Sequence, residues 1–272
     1  KAACCNLSES FETNPSVDVS FNDAVTGSKQ IQLLGLAGTY VQTNVENVPS
    51  IRGLKSTFGL NYLPGTLIKS IDLAKGTISV VNGYESMTGA INVELAKPDT
   101  SEVYYLNTYT NSQGRFEMNQ QGAHRFNSRL STGVFAHYSQ QAGRLDGNKD
   151  GFLDLPLFQL ANVLNRWKYA TDQWIVQWGA SYLLENRVAG QMNFEDLSSN
   201  RYLVYGFGSK TSRWEAFSKI ARLFQSKPWK GLGLILNANQ HDNDSYFAYK
   251  NYRGREQSMY GNLIYQSIIG NT

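Results

Sequence analysis

The sequence predicts a small α+β domain followed by antiparallel strands of a transmembrane β-barrel. Aromatic residues make up 12% and charged residues only 17% of the 272 residues, whereas charged residues average about 25% in soluble domains. The chain changes character near residue 98, because all five Trp lie beyond it. From there onwards the segments alternate apolar and polar residues with the two-residue period of a strand.

Composition also excludes several classes of protein. With 25 Lys+Arg against 22 Asp+Glu the net charge is only +3, so no strong basic field favours nucleic acid as a partner. The mean hydropathy is −0.39, and no stretch approaches the ~18 consecutive apolar residues of a spanning helix. Cys4 and Cys5 are adjacent, which disfavours a bridge between them. Since Cys4, Leu7 and Phe11 follow helical spacing, we expect Cys4 to be a buried apolar residue rather than a ligand for a soft metal.

Residues 1–98 are expected to form the first domain and residues 99–272 the second, because Pro98 marks the end of a strand and the start of a connection. A domain of this size has a small core and is expected to need an enclosing partner. Its expected elements are a helical turn at 6–12, strands at 30–36, 40–42, 70–76 and 90–95, and a turn or short helix at 82–89.

The second part is predicted to contain eight strands. They are expected at 102–111, 115–121, 129–139, 162–169, 174–185, 214–225, 232–241 and 257–268. In the clearest of them the even-numbered positions are apolar, as at Trp174, Trp178 and Tyr182. A strand of about ten residues is long enough to cross a bilayer when tilted. A soluble two-sheet protein would alternate as well, but Trp and Tyr at the strand ends favour an interfacial aromatic belt.

The connections are predicted to alternate in length. Short ones are expected at 123–127, 170–173 and 226–231, and long ones at 140–161, 188–212 and 242–256. Outer-membrane barrels have short periplasmic turns and longer outer loops. The pattern therefore predicts the orientation of the strands and places the three long loops on the outer side.

The segment from Asp146 to Asp154 carries the sharpest local motif. Asp146, Asn148 and Asp150 stand at positions 1, 3 and 5 of a calcium loop, Gly151 at position 6 and Asp154 at position 9. Position 12 is Leu157 instead of a bidentate Glu, so the motif is not an EF-hand. Two readings stay open, a structural calcium site in an outer loop and an Asp/Asn/Gly turn without metal.

The remaining chemistry points away from catalysis. His124, His137 and His241 are scattered over strands or their ends, which predicts solvated or aromatic-belt positions. The sequence shows no nucleophile with a matching base, and its glycine pairs lie in loops and strands rather than in phosphate-binding loops. We therefore expect a protein that is not an enzyme and has no resident cofactor other than the possible calcium.

Three stretches of the first part, in this order, resemble the plug domain of TonB-dependent outer-membrane receptors. Residues 48–54 resemble the Ile-Arg-Gly segment of the plug, residues 70–76 resemble a strand ending in glycine, and residues 83–93 resemble the close of the domain. The residues that carry the motifs are Arg52, Gly53, Gly76, Gly83, Gly89 and Asn92. The segment 11–18 and the Asp/Gly-rich second outer loop also resemble receptors of the Bacteroidota.

The resemblance implies a barrel of about 22 strands closed around the plug. Eight strands could not hold a domain of about 98 residues, because side chains fill the inside of such a narrow barrel. We therefore expect a fragment that holds an N-terminally truncated plug and the first part of the barrel. The resemblance further implies the outer membrane of a Gram-negative cell and energy from the TonB–ExbB–ExbD complex. That complex would act through a TonB box, which is not visible ahead of Lys1.

The plug is expected to have polar contacts with the wall, since transport requires it to shift. Arg52 has five fixed donors and suits either the bridging of carboxylates on the wall or in the plug, or the organisation of the plug's own turn.

The imported ligand is expected to be a metal chelate such as an iron–siderophore, followed by corrinoid, a free metal complex or glycan. The rival classes are a passive porin or surface adhesin, and an outer-membrane enzyme.

Overall fold

The computed structural model describes residues 6–11, 17–36, 38–76, 78–79, 85–194 and 203–268. Its N-terminal domain, called the plug below, contains β1 (Asp18–Asp23), β2 (Ser28–Gln32), β3 (Val41–Val45), β4 (Val48–Pro49), β5 (Ile68–Lys75) and β6 (Gly89–Leu95). Strands β1 and β2 form a hairpin, and the other four form a sheet in the order β4-β3-β6-β5. In that sheet β3 and β6 are parallel.

Among the described residues of the plug, helical structure is limited to short 3-10 turns. They lie at Glu9–Phe11, Gly38–Tyr40, Gly53–Ser56, Gly59–Tyr62 and Gly65–Leu67. Within the predicted turn at 6–12 the structure forms the 3-10 turn Glu9–Phe11. The Asn6 side chain caps its start by accepting hydrogen bonds from Ser8 Oγ (2.6 Å) and the Glu9 amide (3.2 Å). None of the helices in the described ranges is long and apolar enough to span a membrane.

The wall is an eight-stranded antiparallel sheet in which each strand pairs with the next along the chain. Its strands are β7 (Tyr104–Thr110), β8 (Arg115–Arg125), β9 (Leu130–Gln141), β10 (Leu157–Ala170), β11 (Trp174–Gly190), β12 (Gly206–Leu223), β13 (Gly231–Phe247) and β14 (Lys250–Gln266). All eight predicted strands are present, and β10 to β14 are longer than expected. Residues 97–100, where the sequence predicts the domain boundary, form a turn between β6 and β7.

The two faces of the wall differ as the two-residue alternation predicts. On β11, Trp178, Tyr182 and Leu184 are exposed, whereas Leu183 and Glu185 at alternate positions are buried against the plug. The other strands follow the same rule, so an apolar face points outward and a largely polar face points inward.

The plug and the wall share one apolar core. Leu7, Ile91 and Val93 of the plug are almost fully buried in a cluster that also includes Phe135 and Leu164 of the wall. Two wall side chains thus complete a core that the small domain does not close by itself, which agrees with the expected need for an enclosing partner.

The connections follow the predicted pattern with one exception. The long connections 142–156 and 191–205 lie at the same end of the sheet, opposite the short turns 126–129, 171–173 and 224–230. The predicted long loop at 242–256 is wrong, because β13 and β14 form a hairpin closed by residues 248 and 249 alone. Cross-strand ion pairs extend the ladder there, with Arg253 2.7 Å from Asp244 and Arg255 2.5 Å from Asp242.

Candidate functional site: the seam between plug and wall

The contact zone between plug and wall is called the seam, and its half nearer the short turns is called the inner half. This inner half is centred on Glu46, a plug residue that is only 4% exposed. Its carboxylate accepts hydrogen bonds from Arg166 of the wall, at 2.9 Å from Nη1 and 3.2 Å from Nη2. Lys219 of the wall lies 3.2 Å from the same carboxylate, and Lys97 also pairs with it. Since Arg166 is fully buried, this is a desolvated ion cluster that joins the two domains.

The sequence places Glu46 by means of a two-residue hairpin turn between β3 and β4. Glu46 and Asn47 both have positive φ, 52° and 64°, as the turn that suits the twist of a hairpin requires. Asn47 is favoured at such a position, whereas Glu is not. The Asn47 amide donates a 2.8 Å hydrogen bond to Asn92 Oδ1 on β6. The predicted motif residue Asn92 therefore holds the turn that presents Glu46 to the wall.

The charges around Glu46 determine its ionisation. Burial by itself would raise the pKa of Glu46, but the nearby Arg166, Lys219 and Lys97 outweigh burial and lower the pKa to about 2. The carboxylate is therefore ionised at neutral pH and faces the positive charges of Arg166, Lys219 and Lys97, of which Lys97 is also paired with Glu94.

This lowered pKa predicts an acid-dependent loosening of the plug. The folded pKa lies below the ordinary value of 4.5, so the stabilisation is complete above about pH 4.5 and is lost as the pH falls towards 2. The difference corresponds to about 3 kcal/mol. Hydrogen exchange of the β3 and β6 amides, corrected for intrinsic rates, should reveal this loss in the unmodified protein but not in Glu46→Gln. Equal pH slopes in both would contradict the assignment.

The outer half of the seam joins the turn 59–62 of the plug to β10 and β11. Tyr62 donates a 3.2 Å hydrogen bond from its hydroxyl to Glu185, and its carbonyl accepts one of 3.0 Å from the Asn162 side chain. Arg187 pairs with Glu185 at 2.6 Å and lies over the ring of Phe58, 4.5 Å from its centroid. Burial and the Glu185 charge hold the pKa of Tyr62 well above its usual value, so the hydroxyl stays a donor.

The Ile-Arg-Gly segment lies between these two halves. Arg52 pairs with Glu85 at 3.1 Å, so it bridges to a carboxylate of the plug itself. The wall contact is made by the backbone, since the Leu54 amide donates a 2.7 Å hydrogen bond to Glu256 on β14. Gly53 has a φ of +57°, and a Cβ on it would overlap the Glu256 carboxylate. The glycine thus allows a close approach that no other residue permits.

A buried lysine completes the central part of the seam. Lys55 is 6% exposed and donates a 2.7 Å hydrogen bond to Ser50 Oγ. Burial lowers the pKa of Lys55 to about 8, although the Glu215 carboxylate of the wall opposes that shift. A cavity of about 90 Å³ lies beside it, between plug and wall, and both Glu46 and Tyr62 line it. The seam therefore combines buried polar contacts and a cavity with the apolar core that the plug and the wall share.

The other predicted motif residues lie in the plug, away from the wall contacts above. Gly76 follows β5 with a φ of +80° and donates its amide to the Thr88 carbonyl at 2.8 Å. Gly89 begins β6 and pairs with Lys75. Gly83 lies outside the described residues, as do Cys4 and Cys5. The roles of these glycines and cysteines stay predictions.

The predicted calcium loop uses its carboxylates within the loop. Asp146 accepts the amides of Asp150 and Gly151, both at 3.0 Å, and Asp154 accepts the amide of Gly147 at 2.7 Å. Asn148 donates to Asp150 at 2.9 Å. Across the described ranges no three His, Cys, Asp or Glu side chains converge as a metal site would require. Both interpretations, the structural calcium site and the metal-free turn, stay predictions.

Calorimetry distinguishes the two interpretations of the loop. If it binds calcium, titration should release or absorb heat at millimolar calcium, and Asp150→Ala should abolish the signal because it removes a ligand at position 5. The absence of heat at that concentration in the unmodified protein would leave only the turn.

Sequence reasoning missed the charged residues of the seam. Glu46, Arg166, Lys219 and Glu256 carried no motif, yet the wall residues among them occupy inward-facing positions of strands whose outward positions are apolar. A charge at such a position was the available signal. The histidines show the same effect, since His137 and His241 are buried against the plug, contrary to the prediction of solvated or belt positions. His124 does lie in the belt, edge-on to Phe126 at 4.7 Å.

Comparison with known proteins supports this arrangement. Residues 3–90 match the model of the TonB-dependent Receptor Plug Domain, whereas a search of curated proteins found no match. FpvA of Pseudomonas aeruginosa, solved with a pyoverdine–iron complex, is similar with a TM-score of 0.72 and 13% identity, over 93% of this chain and 36% of FpvA.

Two further solved structures share the fold. The siderophore receptor PirA of Acinetobacter baumannii has a TM-score of 0.65 and 16% identity, over 95% of this chain and 42% of PirA. The copper transporter OprC has a TM-score of 0.58 and 11% identity, over 95% of this chain and 49% of OprC. This chain thus spans between about a third and a half of these proteins. The resemblance to receptors of the Bacteroidota in particular stays a prediction.

The chain therefore has the fold of a TonB-dependent receptor, with a plug domain, matched in sequence over residues 3–90, seated against eight strands of the barrel wall.

Proposed function

We propose that the protein is an outer-membrane active transporter that imports a scarce ligand with energy from the TonB–ExbB–ExbD complex. The single observation that carries the proposal is the buried cluster of Glu46 with Arg166, Lys219 and Lys97, which joins plug and wall by ionic contacts. A plug held to the wall only by apolar packing would be hard to displace. A polar seam with a cavity beside it can exchange its hydrogen bonds for water when the plug shifts.

The ligand is proposed to bind on the outer side, between the top of the plug and the loops 142–156 and 191–205. Aromatic side chains from plug and wall meet there. Phe207 lies 6.3 Å from Phe58 and 6.1 Å from Phe247, and Tyr205 is edge-on to Phe247 at 5.3 Å. Such rings suit a bulky organic ligand with apolar surface. The loop contribution of residues 195–202 lies outside the described part of the chain.

A metal chelate such as an iron–siderophore is the proposed cargo. The support is the set of similar folds, which includes a pyoverdine–iron receptor, a siderophore receptor and a copper transporter. Corrinoid or glycan import is the alternative within the same class. A passive porin or adhesin offers no reason for a plug held by buried charges, and an enzyme would need a nucleophile with a base.

Uptake under metal limitation tests the proposal. A Gram-negative host that lacks its own receptors and expresses the complete receptor to which this chain is proposed to belong should grow on at least one of a panel of ferric hydroxamates, ferric catecholates and cobalamin. That growth should disappear when TonB is deleted. Growth that survives the deletion would indicate a passive pore, and growth on no member of the panel would exclude the proposed cargo class.

A further inference from the structure

The inner ends of the wall strands carry more basic than acidic side chains. Arg129, Arg222, Lys227 and Lys230 lie in or beside the short turns 126–129 and 224–230, and we call them the inner basic patch. The first three are exposed and Lys230 is partly exposed. None of the ion pairs found among the described residues includes any of the four. Asp172 is the only acidic residue in the three short turns.

Aromatic side chains place this patch at a defined depth. The Arg222 guanidinium lies over Trp174 at 5.3 Å and over Phe224 at 5.2 Å. Trp174 and Trp229 are 38% and 43% exposed. Outward-facing rings continue along the same end of the wall, where Trp167 stacks on Trp178 at 6.0 Å. Belts of Trp and Tyr lie at the level of lipid headgroups, so the four cations lie at that level too.

The opposite end of the wall is electrically different. Of the described residues at that end, the exposed cations are nearly matched in number by carboxylates: Arg144, Lys149, Lys210, Lys250, Arg253 and Arg255 against Asp146, Asp150, Asp154, Asp242 and Asp244. Arg253 and Arg255 are also directly paired with Asp244 and Asp242. Unpaired cations at headgroup depth are attracted by anionic lipids and gain nothing comparable from zwitterionic ones. The difference in charge between the two ends of the wall therefore favours anionic lipid in one leaflet only, the one at the short turns.

We propose that the inner basic patch binds the phosphate groups of anionic phospholipids, such as phosphatidylglycerol, in the inner leaflet of the membrane. This inference rests on the proposed function in one respect, since it requires the wall to span a bilayer. The interaction would hold the short-turn side of the wall at a fixed height while the plug is displaced.

Fluorescence quenching by brominated lipids tests the proposal. The protein is reconstituted in vesicles of phosphatidylcholine that contain either brominated phosphatidylcholine or brominated phosphatidylglycerol. Trp174 and Trp229 report on lipid beside the patch. We expect phosphatidylglycerol to be preferred on the order of fivefold, and the preference should fall at about 0.5 M salt because the charges are exposed.

Matched variants separate the patch from general charge. The triple variant Arg222→Gln, Lys227→Gln, Lys230→Gln should lose the preference, whereas the control Arg253→Gln, Arg255→Gln should keep it. A preference that persists in the triple variant, or equal quenching by both lipids in the unmodified protein, would overturn the patch while leaving the transporter proposal intact. No quenching by either lipid would overturn both, because the wall would not be in the bilayer.

Discussion

Replacement of Glu46 by Gln is expected to weaken the attachment of the plug to the wall more than any other single substitution. Glutamine keeps the shape of the side chain and removes its charge, which leaves Arg166 buried among Lys219 and Lys97 without a counter-ion. Breaking a buried ion pair from one side costs about 3–5 kcal/mol. Amide hydrogens of β3 and β6 should then exchange roughly a hundredfold to several-thousandfold faster, because the local opening free energy falls by that amount.

Glu94 provides the matched control for this experiment. It shares Lys97 with Glu46, at 2.9 Å, but its side chain is 28% exposed and does not touch Arg166. Glu94→Gln should change exchange in β3 and β6 only slightly, as surface pairs contribute ~0–1 kcal/mol. If Glu46→Gln and Glu94→Gln had the same small effect, the buried cluster would not be what holds the plug to the wall.

Replacement of Gly53 by Ala is expected to have the second largest effect. The new Cβ would overlap the Glu256 carboxylate and would force alanine to adopt a φ of +57°. The backbone conformation costs about 1–2 kcal/mol, and loss of the charged hydrogen bond to the Leu54 amide costs about 1.5–3 kcal/mol more. Hydrogen exchange of residues 53–62 should be accelerated. Some ligand should also enter the cell when TonB is absent, because the plug is held less firmly.

Two further variants separate the contributions. Gly76→Ala also places alanine at a positive φ, +80°, but in open space, so it should show the backbone cost alone. Combining Gly53→Ala with Glu256→Ala removes the overlap and should cost less than the sum of the two single changes. Strict additivity would show that Gly53 and Glu256 do not meet in the way described.

The order of the domains, the eight strands and the outward apolar face could be predicted from the sequence because they depend on local periodicity. Trp178, Tyr182 and Leu184 repeat at every second position, and such a repeat specifies a face without any long-range information. The length of the β13–β14 connection could not be predicted in this way. Asp242, Asp244, Arg253 and Arg255 resemble loop residues in sequence and pair across a ladder only once the register is known.

The ion pairs of the seam could not be predicted either, because they too join residues that are far apart in the sequence. Glu46 lies 120 residues from Arg166 and 173 residues from Lys219, so their meeting depends on how the plug docks. Arg52 was expected to bridge carboxylates on the wall or in the plug, or to organise the plug's own turn. The structure pairs Arg52 with Glu85 of the plug and makes the wall contact with the Leu54 amide beside Gly53. Side-chain chemistry alone gave no signal that a backbone atom would contact the wall.

The central claim is that the wall has an apolar, lipid-facing outer face and a largely polar inner face that contacts the plug. Spin labels placed singly along β11 test it most directly, with lipid-dissolved oxygen and a water-soluble nickel chelate as relaxing agents. Labels at 178, 180, 182 and 184 should respond to oxygen, and labels at 181, 183 and 185 should respond to neither agent strongly. Access of the nickel chelate to the even-numbered positions, or a response without two-residue alternation, would contradict the account.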